Sequence, residues 1–208
     1  MAKPRLLDLF CGVGGAAAGY ARAGFEITGI DIVDQPHYPF KFIHGDALSY
    51  PLEGYDVIHA SPPCQAYSVT EGLHPGYKYP DLLPAVRERL LRQPAAWAIE
   101  NVPGAPMRRD IRLCGQQFGL PLYRHRLFEL SWPAPERQIP HPRHYLRSTA
   151  SGGPGAPIIT VAGRTGSRAD YARALGIDWP ASRVELAQAI PPAYTEYLGR
   201  CWLEWRNG

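Results

Sequence analysis

The first thirty-one residues constrain the chain most. Arg5 to Phe10 is a short β-type run, Cys11-Gly12-Val13-Gly14-Gly15 follows, and Ala16 to Ala23 has helical composition with Gly24 to close it. Phe25 to Ile30 then forms a second strand, ending at Asp31. Strand, glycine turn, helix and strand make a βαβ unit, so a parallel sheet is expected. Glycines at such a turn let the backbone approach a ligand, and the helix start behind them offers free N–H groups. An acidic residue at the end of the next strand accepts hydrogen bonds from ribose hydroxyls. Gly12-x-Gly14-x-x-Ala17 with Asp31 nineteen residues after Gly12 therefore matches a nucleotide-cofactor pattern, one that fits a dinucleotide as well as S-adenosylmethionine. Asp46, after the apolar stretch Phe40 to Ile43, is either a turn aspartate or a partner for an adenine amino group. Taken one per strand, the three marks place a cleft at the carboxyl ends of the sheet.

A second stretch carries reactive chemistry. Tyr55 to Ala60 reads as a strand and delivers Ser61-Pro62-Pro63-Cys64-Gln65-Ala66-Tyr67-Ser68 into a loop rich in Ser, Thr, Gly and Tyr that runs to Pro80. Cys64 is a candidate nucleophile. The thiolate is the reactive form, and an ordinary thiol pKa of about 8.5 leaves little of it at neutral pH, so its surroundings must activate it. A cysteine after a strand is more commonly a small buried apolar group, but two prolines fix this backbone in a way that packing does not require. An amphipathic helix follows, with Leu82, Leu83, Val86 and Leu90 on one face, ending before Pro94. Ala95 to Ile99 is another buried strand, closed by Glu100-Asn101-Val102. Ends of adjacent parallel strands converge, so Glu100 is expected to meet Cys64. Arg124 and Arg126, two apart on an extended segment before the strand Leu127 to Leu130, point the same way and can address one ligand. Beyond residue 157, Ile158 to Val161 is expected as a strand, Arg168 to Leu175 as a helix, Ser182 as the cap of a helix carrying Gln188, and Pro191 or Pro192 as the start of the last helix.

Composition adds limits. A chain of 208 residues with 45% hydrophobic and 20% charged residues can build one real core, and no apolar run reaches the length of a membrane span. Met1 to Arg5 leads straight into a strand without a signal-peptide core, which points to the cytoplasm. Cys11, Cys64, Cys114 and Cys201 form no C-x-x-C pair, arguing against a zinc knuckle or disulfide scaffold; no metal is expected. Between residues 105 and 150 eight arginines face only Asp110, Glu129 and Glu136. That imbalance suits a phosphate backbone or simply a solvated face.

Asp8-Leu9-Phe10-Cys11-Gly12-Val13-Gly14-Gly15, Pro62-Pro63-Cys64-Gln65, Glu100-Asn101-Val102, Arg124-His125-Arg126 and Gln188-Ala189-Ile190-Pro191-Pro192 together resemble, in order and spacing, the motifs of the cytosine-C5 DNA methyltransferases. The likeness covers nearly the whole chain outside about 131–157, and the small size resembles bacteriophage-encoded members. It implies a Rossmann-like S-adenosylmethionine-dependent α/β fold, with a mostly parallel sheet and helices on both faces. It also implies methyl transfer to C5 of cytosine in DNA through a covalent bond between Cys64 and C6, on a flipped base. The catalytic set would be Cys64, Glu100, Arg124 and Arg126. The cofactor set would be Phe10, Gly12, Gly14, Asp31, Asp46, Pro62 and Gln188. DNA would meet Gln65, Ser68, Asn101, Arg143 and Arg147, with the loop from Gln65 to Pro80 closing over the base.

Departures from the family pattern are Ile32 in place of a tryptophan that stacks on adenine, Leu122 in place of a glutamine, and Ala187-Gln188 in place of Gly-Asn. The first suggests weaker cofactor binding and the last leaves room for an unusual cofactor. The expected organisation is a catalytic and cofactor-binding core over 1–130, a reduced target-recognition loop over 131–157, and a C-terminal segment, 158–208, that completes the catalytic domain. A Pro- and Gly-rich segment of that length cannot build its own core, because units below roughly 40 residues usually need a metal, disulfides or a partner. Sequence recognition would then be weak, or come from this loop, a homodimer or a specificity partner, in a bacterial cell or phage-infected host. Other readings are an inactive DNA-binding homologue, an RNA-directed relative, an enzyme installing a different C5 group, and a nicotinamide oxidoreductase that fits only the first fifty residues.

Overall fold

The computed structural model describes residues 2–67, 79–136, 138–144, 158–161 and 166–208. Seven strands form one sheet: β1 (Arg5–Leu9), β2 (Glu26–Asp31), β3 (Lys41–His44), β4 (Val57–Ala60), β5 (Ala96–Asn101), β6 (Ile111–Leu113) and β7 (Arg126–Leu130), in the order β3-β2-β1-β4-β5-β7-β6. The first five are parallel, while β7 runs antiparallel to β5 and to β6. The strand order reverses between β1 and β4, where an α/β sheet opens a crevice at its carboxyl edge. The expected fold class is therefore the one observed.

Alternation along the strands sorts the residues onto two faces. Leu6, Val57, Ala98 and Phe128 meet α1 (Gly15–Ala23) and the last helix, α5 (Pro192–Asn207); Leu7, Leu9, Ile58, Ala60 and Ile99 meet α2 (Leu83–Leu91). Helices α1 and α5 approach closely enough that a Cβ on Gly19 would stand 2.0 Å from Pro192 O. Thr195 Oγ1 donates to Ala16 O at 2.7 Å across the same contact. Two short helices, α3 (Arg168–Leu175) and α4 (Arg183–Gln188), form a satellite core with Val13, Leu122, Ile159 and Val161 beside the crevice.

Most elements lie where the sequence puts them. Helix α3 has its expected bounds, Ser182 caps α4 in a capping box with Glu185, and Gly24 ends α1 in the left-handed region at φ 109°. Two assignments differ. Ile158 to Val161 is not a strand: Ile159 makes one bridge, its N–H donating to Pro121 O at 2.7 Å, and its apolar side chains are buried by packing instead. Strand β6 was not anticipated, because three residues with exposed Arg112 between Ile111 and Leu113 carry too short a pattern.

Candidate active site

A cavity of about 970 Å³ opens along the carboxyl ends of β1, β2, β4 and β5. One end is built from turns. The chain leaves β1 with Phe10 at φ 59°, an uncommon conformation for a residue with a side chain, and Gly12 follows at φ 48°. Gly12 N–H donates to Asp31 Oδ2 at 3.0 Å, and Val33 N–H donates to Asp31 Oδ1 at 3.0 Å. The Asp31 carboxylate is thereby held at the end of β2 with lone pairs left over for a ligand. Asp46 is fixed likewise, Oδ1 accepting from Leu48 N–H at 2.9 Å. Phe10, Gly12, Asp31, Asp46, Pro62 and Gln188 all line the cavity, and Ile32, 68% exposed, forms an apolar wall at its edge. Gly14 does not line it. At φ 91° it caps α1, and a Cβ there would meet Pro39 at 2.9 Å, so this glycine serves the turn and its packing.

The other end holds the reactive groups. Cys64 follows β4 and precedes a turn of 3-10 helix, Gln65–Tyr67. Tyr67 OH is tied to Asp81 at the start of α2. Glu100, at the end of β5, is 6% exposed and forms an ion pair with Arg126, Nε to Oε1, at 2.8 Å. Arg126 also donates to His125 O at 2.8 Å. Burial pushes the Cys64 thiol above its ordinary pKa; Arg126 and, less so, Arg124 pull it back, while Glu100 adds to the upward push. Burial thus favours the thiol form of Cys64, and the Arg126 charge opposes it.

Placement gives three further expected residues specific surroundings. Arg124 lines the cavity, but its guanidinium donates to Val161 O at 2.9 Å and Ala187 O at 2.7 Å, and its Nε is buried without a partner. These bonds tie the α3–α4 side of the cavity to the segment before β7. Burial and neighbouring Arg126 push the pKa of Arg124 down to about 9, still high enough to keep it charged. Asn101, expected at DNA, is 1% exposed; its Nδ2 donates to Pro62 O at 3.0 Å and its Oδ1 accepts from Val102 N–H at 2.9 Å. It braces the Pro-Pro-Cys turn from below. Arg143 is exposed and outside the cavity lining. Gln65 lines the cavity with its Oε1 buried and unpartnered. Ser68, Arg147 and most of the expected closing loop lie outside the described residues.

Asp8 carries a role the motif reading missed. It is fully buried on β1 and lines the cavity; Tyr38 OH donates to Oδ2 at 3.3 Å, while Oδ1 has no partner. Burial pushes its pKa to about 8, with the charges of Asp31 and Glu100 adding to the rise. An unpartnered carboxyl oxygen facing a cavity is a waiting hydrogen-bond site. An acidic residue inside an otherwise apolar strand is the signal that could have found it.

A family model for C-5 cytosine-specific DNA methylases matches residues 4–111. The type II methyltransferase M.AplI of Arthrospira platensis is 31% identical over 170 residues, covering 64% of this chain and 48% of that protein. The chain therefore spans about half the length of this curated relative. Among solved structures, an E. coli protein assigned as a prophage-encoded DNA modification methyltransferase superposes with a TM-score of 0.66 at 16% identity, covering 99% of this chain and 100% of that one. The S. pombe Dnmt2 methyltransferase gives 0.62 at 15% identity, with coverages of 99% and 100%. At these identities the likeness to the two structures is one of fold. The family model spans more than half of the sequence, including the glycine turn, Cys64 and Glu100, and the chain belongs to the C-5 cytosine-specific DNA methylase family.

Proposed function

We propose that this protein transfers a methyl group from S-adenosylmethionine to C5 of cytosine in DNA, by way of a covalent bond between Cys64 and C6 of a flipped base. The observation that carries the proposal is the continuity of one cavity, with Asp8, Asp31 and Asp46 toward one end and Cys64, Glu100 and Arg126 toward the other. Its volume lies at the upper end of the range for small-molecule sites, of about 300–1,000 Å³, and suits a nucleoside cofactor beside one base.

The residues present fit the cofactor. Asp31 would accept from the ribose hydroxyls, Asp46 would face the adenine amino group, and Ile32 and Phe10 would flank the ring. When bound, S-adenosylmethionine supplies an electrophilic methyl group on a sulfonium.

Cytosine C5 is a poor nucleophile until C6 is attacked. The Cys64 thiol passes its proton to water in the open cavity as its sulfur bonds to C6, which moves electron density through the ring toward C5 and N3. Glu100, acting as an acid or hydrogen-bond donor at N3, stabilises that density. Arg126 supplies positive charge beside both groups. Once C5 carries the methyl group, loss of the C5 proton expels Cys64 as thiolate and restores the aromatic ring. Arg124 acts through position, holding the Val161 and Ala187 carbonyls on the cofactor side while its own backbone leads into Arg126. Residues 131–157 take the place of the target-recognition unit, and the basic stretch from 105 to 150 would meet phosphates.

The test is incubation of the protein with labelled S-adenosylmethionine and mixed-sequence DNA, followed by mapping of methylated cytosines. Wild type is expected to label DNA, with Cys64→Ser lowering the rate by roughly 10³-fold or more while still binding cofactor. DNA containing 5-fluorocytosine should trap wild type covalently and Cys64→Ser not at all. Undiminished methyl transfer by Cys64→Ser would overturn the proposal.

A further inference from the structure

The four side chains Cys114, His125, His141 and His144 converge on the edge of the sheet formed by β6 and β7, and one sulfur and three ring nitrogens all lie within 4.8 Å of one another. We propose that they form a structural binding site for a transition-metal ion, zinc by their donor chemistry, which fastens the segment after β7 to the catalytic domain.

The geometry is specific. Cys114 Sγ stands 3.3 Å from His144 Nε2, and His125 Nε2 stands 2.9 Å from His141 Nε2. A tetrahedral zinc with Zn–N of about 2.0–2.1 Å and Zn–S of about 2.3 Å sets its ligand atoms roughly 3.3–3.7 Å apart, so small side-chain rotations bring all four into range. Hydrogen bonds alone fit the cluster less well. A proton joins two of these atoms at a time, whereas a single ion satisfies four convergent donors. One thiolate with three imidazoles is a set that suits zinc, and four protein ligands leave no open position, which marks a structural site.

The ligands come from three places in the chain. Cys114, fully buried, directly follows β6; His125 sits between Arg124 and Arg126 outside the cavity lining; His141 and His144 belong to the segment beyond β7. His144 also stacks on Tyr123 with ring centroids 3.7 Å apart, and Ser131 exchanges bonds with Trp97. Of the segment's described part, Trp132 enters the main core, and Gln117 Nε2 to Ile139 O at 2.7 Å and Gln138 Nε2 to Asp110 O at 3.2 Å supply polar ties. A short Pro- and His-rich unit without a core of its own is the kind that a metal stabilises. The expectation of no metal rested on the missing C-x-x-C pair, which speaks only to ligands close in sequence. Because Arg126 donates to His125 O, ligation of His125 would also steady the arginine that faces Glu100.

Metal content is read without turnover, so the inference stands or falls apart from the proposed function. Protein purified without a polyhistidine tag should carry about one zinc per chain. Replacement by cobalt should give tetrahedral visible bands together with a thiolate-to-cobalt charge-transfer band. Cys64→Ala should keep that band and Cys114→Ala should lose it. If Cys114→Ala does not fold, His141→Ala, altered at an exposed ligand, should remain folded and bind cobalt roughly 100-fold more weakly or worse. Zinc far below one per chain with no thiolate-cobalt band overturns the proposal. So does metal binding that survives undiminished in His141→Ala.

Discussion

The two ends of the cavity are made differently. The end with Asp31 and Asp46 is held mostly by local backbone: Asp31 accepts from Val33 two residues on and from Gly12 in the turn of the preceding strand, and Asp46 accepts from Leu48. The reactive end depends on distant partners. Glu100 needs Arg126, Arg124 needs carbonyls 37 and 63 residues away, and Pro62 O needs Asn101 from another strand. Local hydrogen bonds survive small shifts of the sheet, while a buried ion pair between antiparallel strands does not. Damage at the reactive end should therefore be severe and spread into stability, and damage at the cofactor end should stay local.

The largest effect should come from Arg126→Ala. It leaves Glu100 buried without its partner, so methyl transfer should fall by about 10²–10⁴-fold and stability by about 3–5 kcal/mol, with cofactor binding least changed in the protein that remains folded. Steady-state rates, urea midpoints and calorimetric titration separate these outcomes; intact stability with lost activity would break the comparison. Asp31→Ala should weaken cofactor binding by roughly 1.5–3 kcal/mol and leave pH-dependent alkylation of Cys64 by iodoacetamide unaltered. A changed alkylation profile would show that the two ends are coupled.

A further effect concerns two buried groups paired in register on β1 and β4, Asp8 and His59. Burial raises the Asp8 pKa to about 8 and lowers that of His59 to about 3. Folded Asp8 keeps a proton that the unfolded chain gives up near pH 4, so stability is lost as pH rises from about 4 to 8. Folded His59 refuses a proton that the unfolded chain accepts near pH 6.5, so stability is lost as pH falls from about 6.5 to 3. Between about 4 and 6.5 the two slopes, each up to about 1.4 kcal/mol per pH unit, oppose each other. Urea midpoints should hold level there and decline above; Asp8→Asn should abolish that decline relative to wild type. The smallest effect should be at Ser182→Ala, which removes the α4 cap bond from Glu185 N–H at 3.2 Å and costs about 1 kcal/mol in thermal unfolding. A larger loss there would mean that α4 carries the cavity wall and not merely covers it.

What was legible follows the same division. The turn after β1, the acid at the end of β2, the cap at Ser182 and the Pro-Pro-Cys loop are all statements about residues close in sequence, and each is where local chemistry puts it. Glu100 beside Cys64 was also legible, because parallel strand ends must converge. For Arg124 spacing gives direction but not partners; the carbonyls it binds belong to residues 161 and 187. The same holds for Asn101, whose partner is Pro62 O. Nothing in the spacing of residues 114, 125, 141 and 144 announces a cluster, because only the pairing of β6 with β7 and the return of the following segment bring them together.

The hydroxyl of Thr195 and the carbonyl of Ala16 are 179 positions apart, yet their bond seals α1, the helix that rises from the cofactor turn. A ribosome makes that turn long before its cover. Until α5 emerges, the nascent chain holds an apolar helix surface without that cover, and contacts of such long range form slowly. A chain stopped before α5 would leave that surface uncovered and the cofactor-side turn without its support.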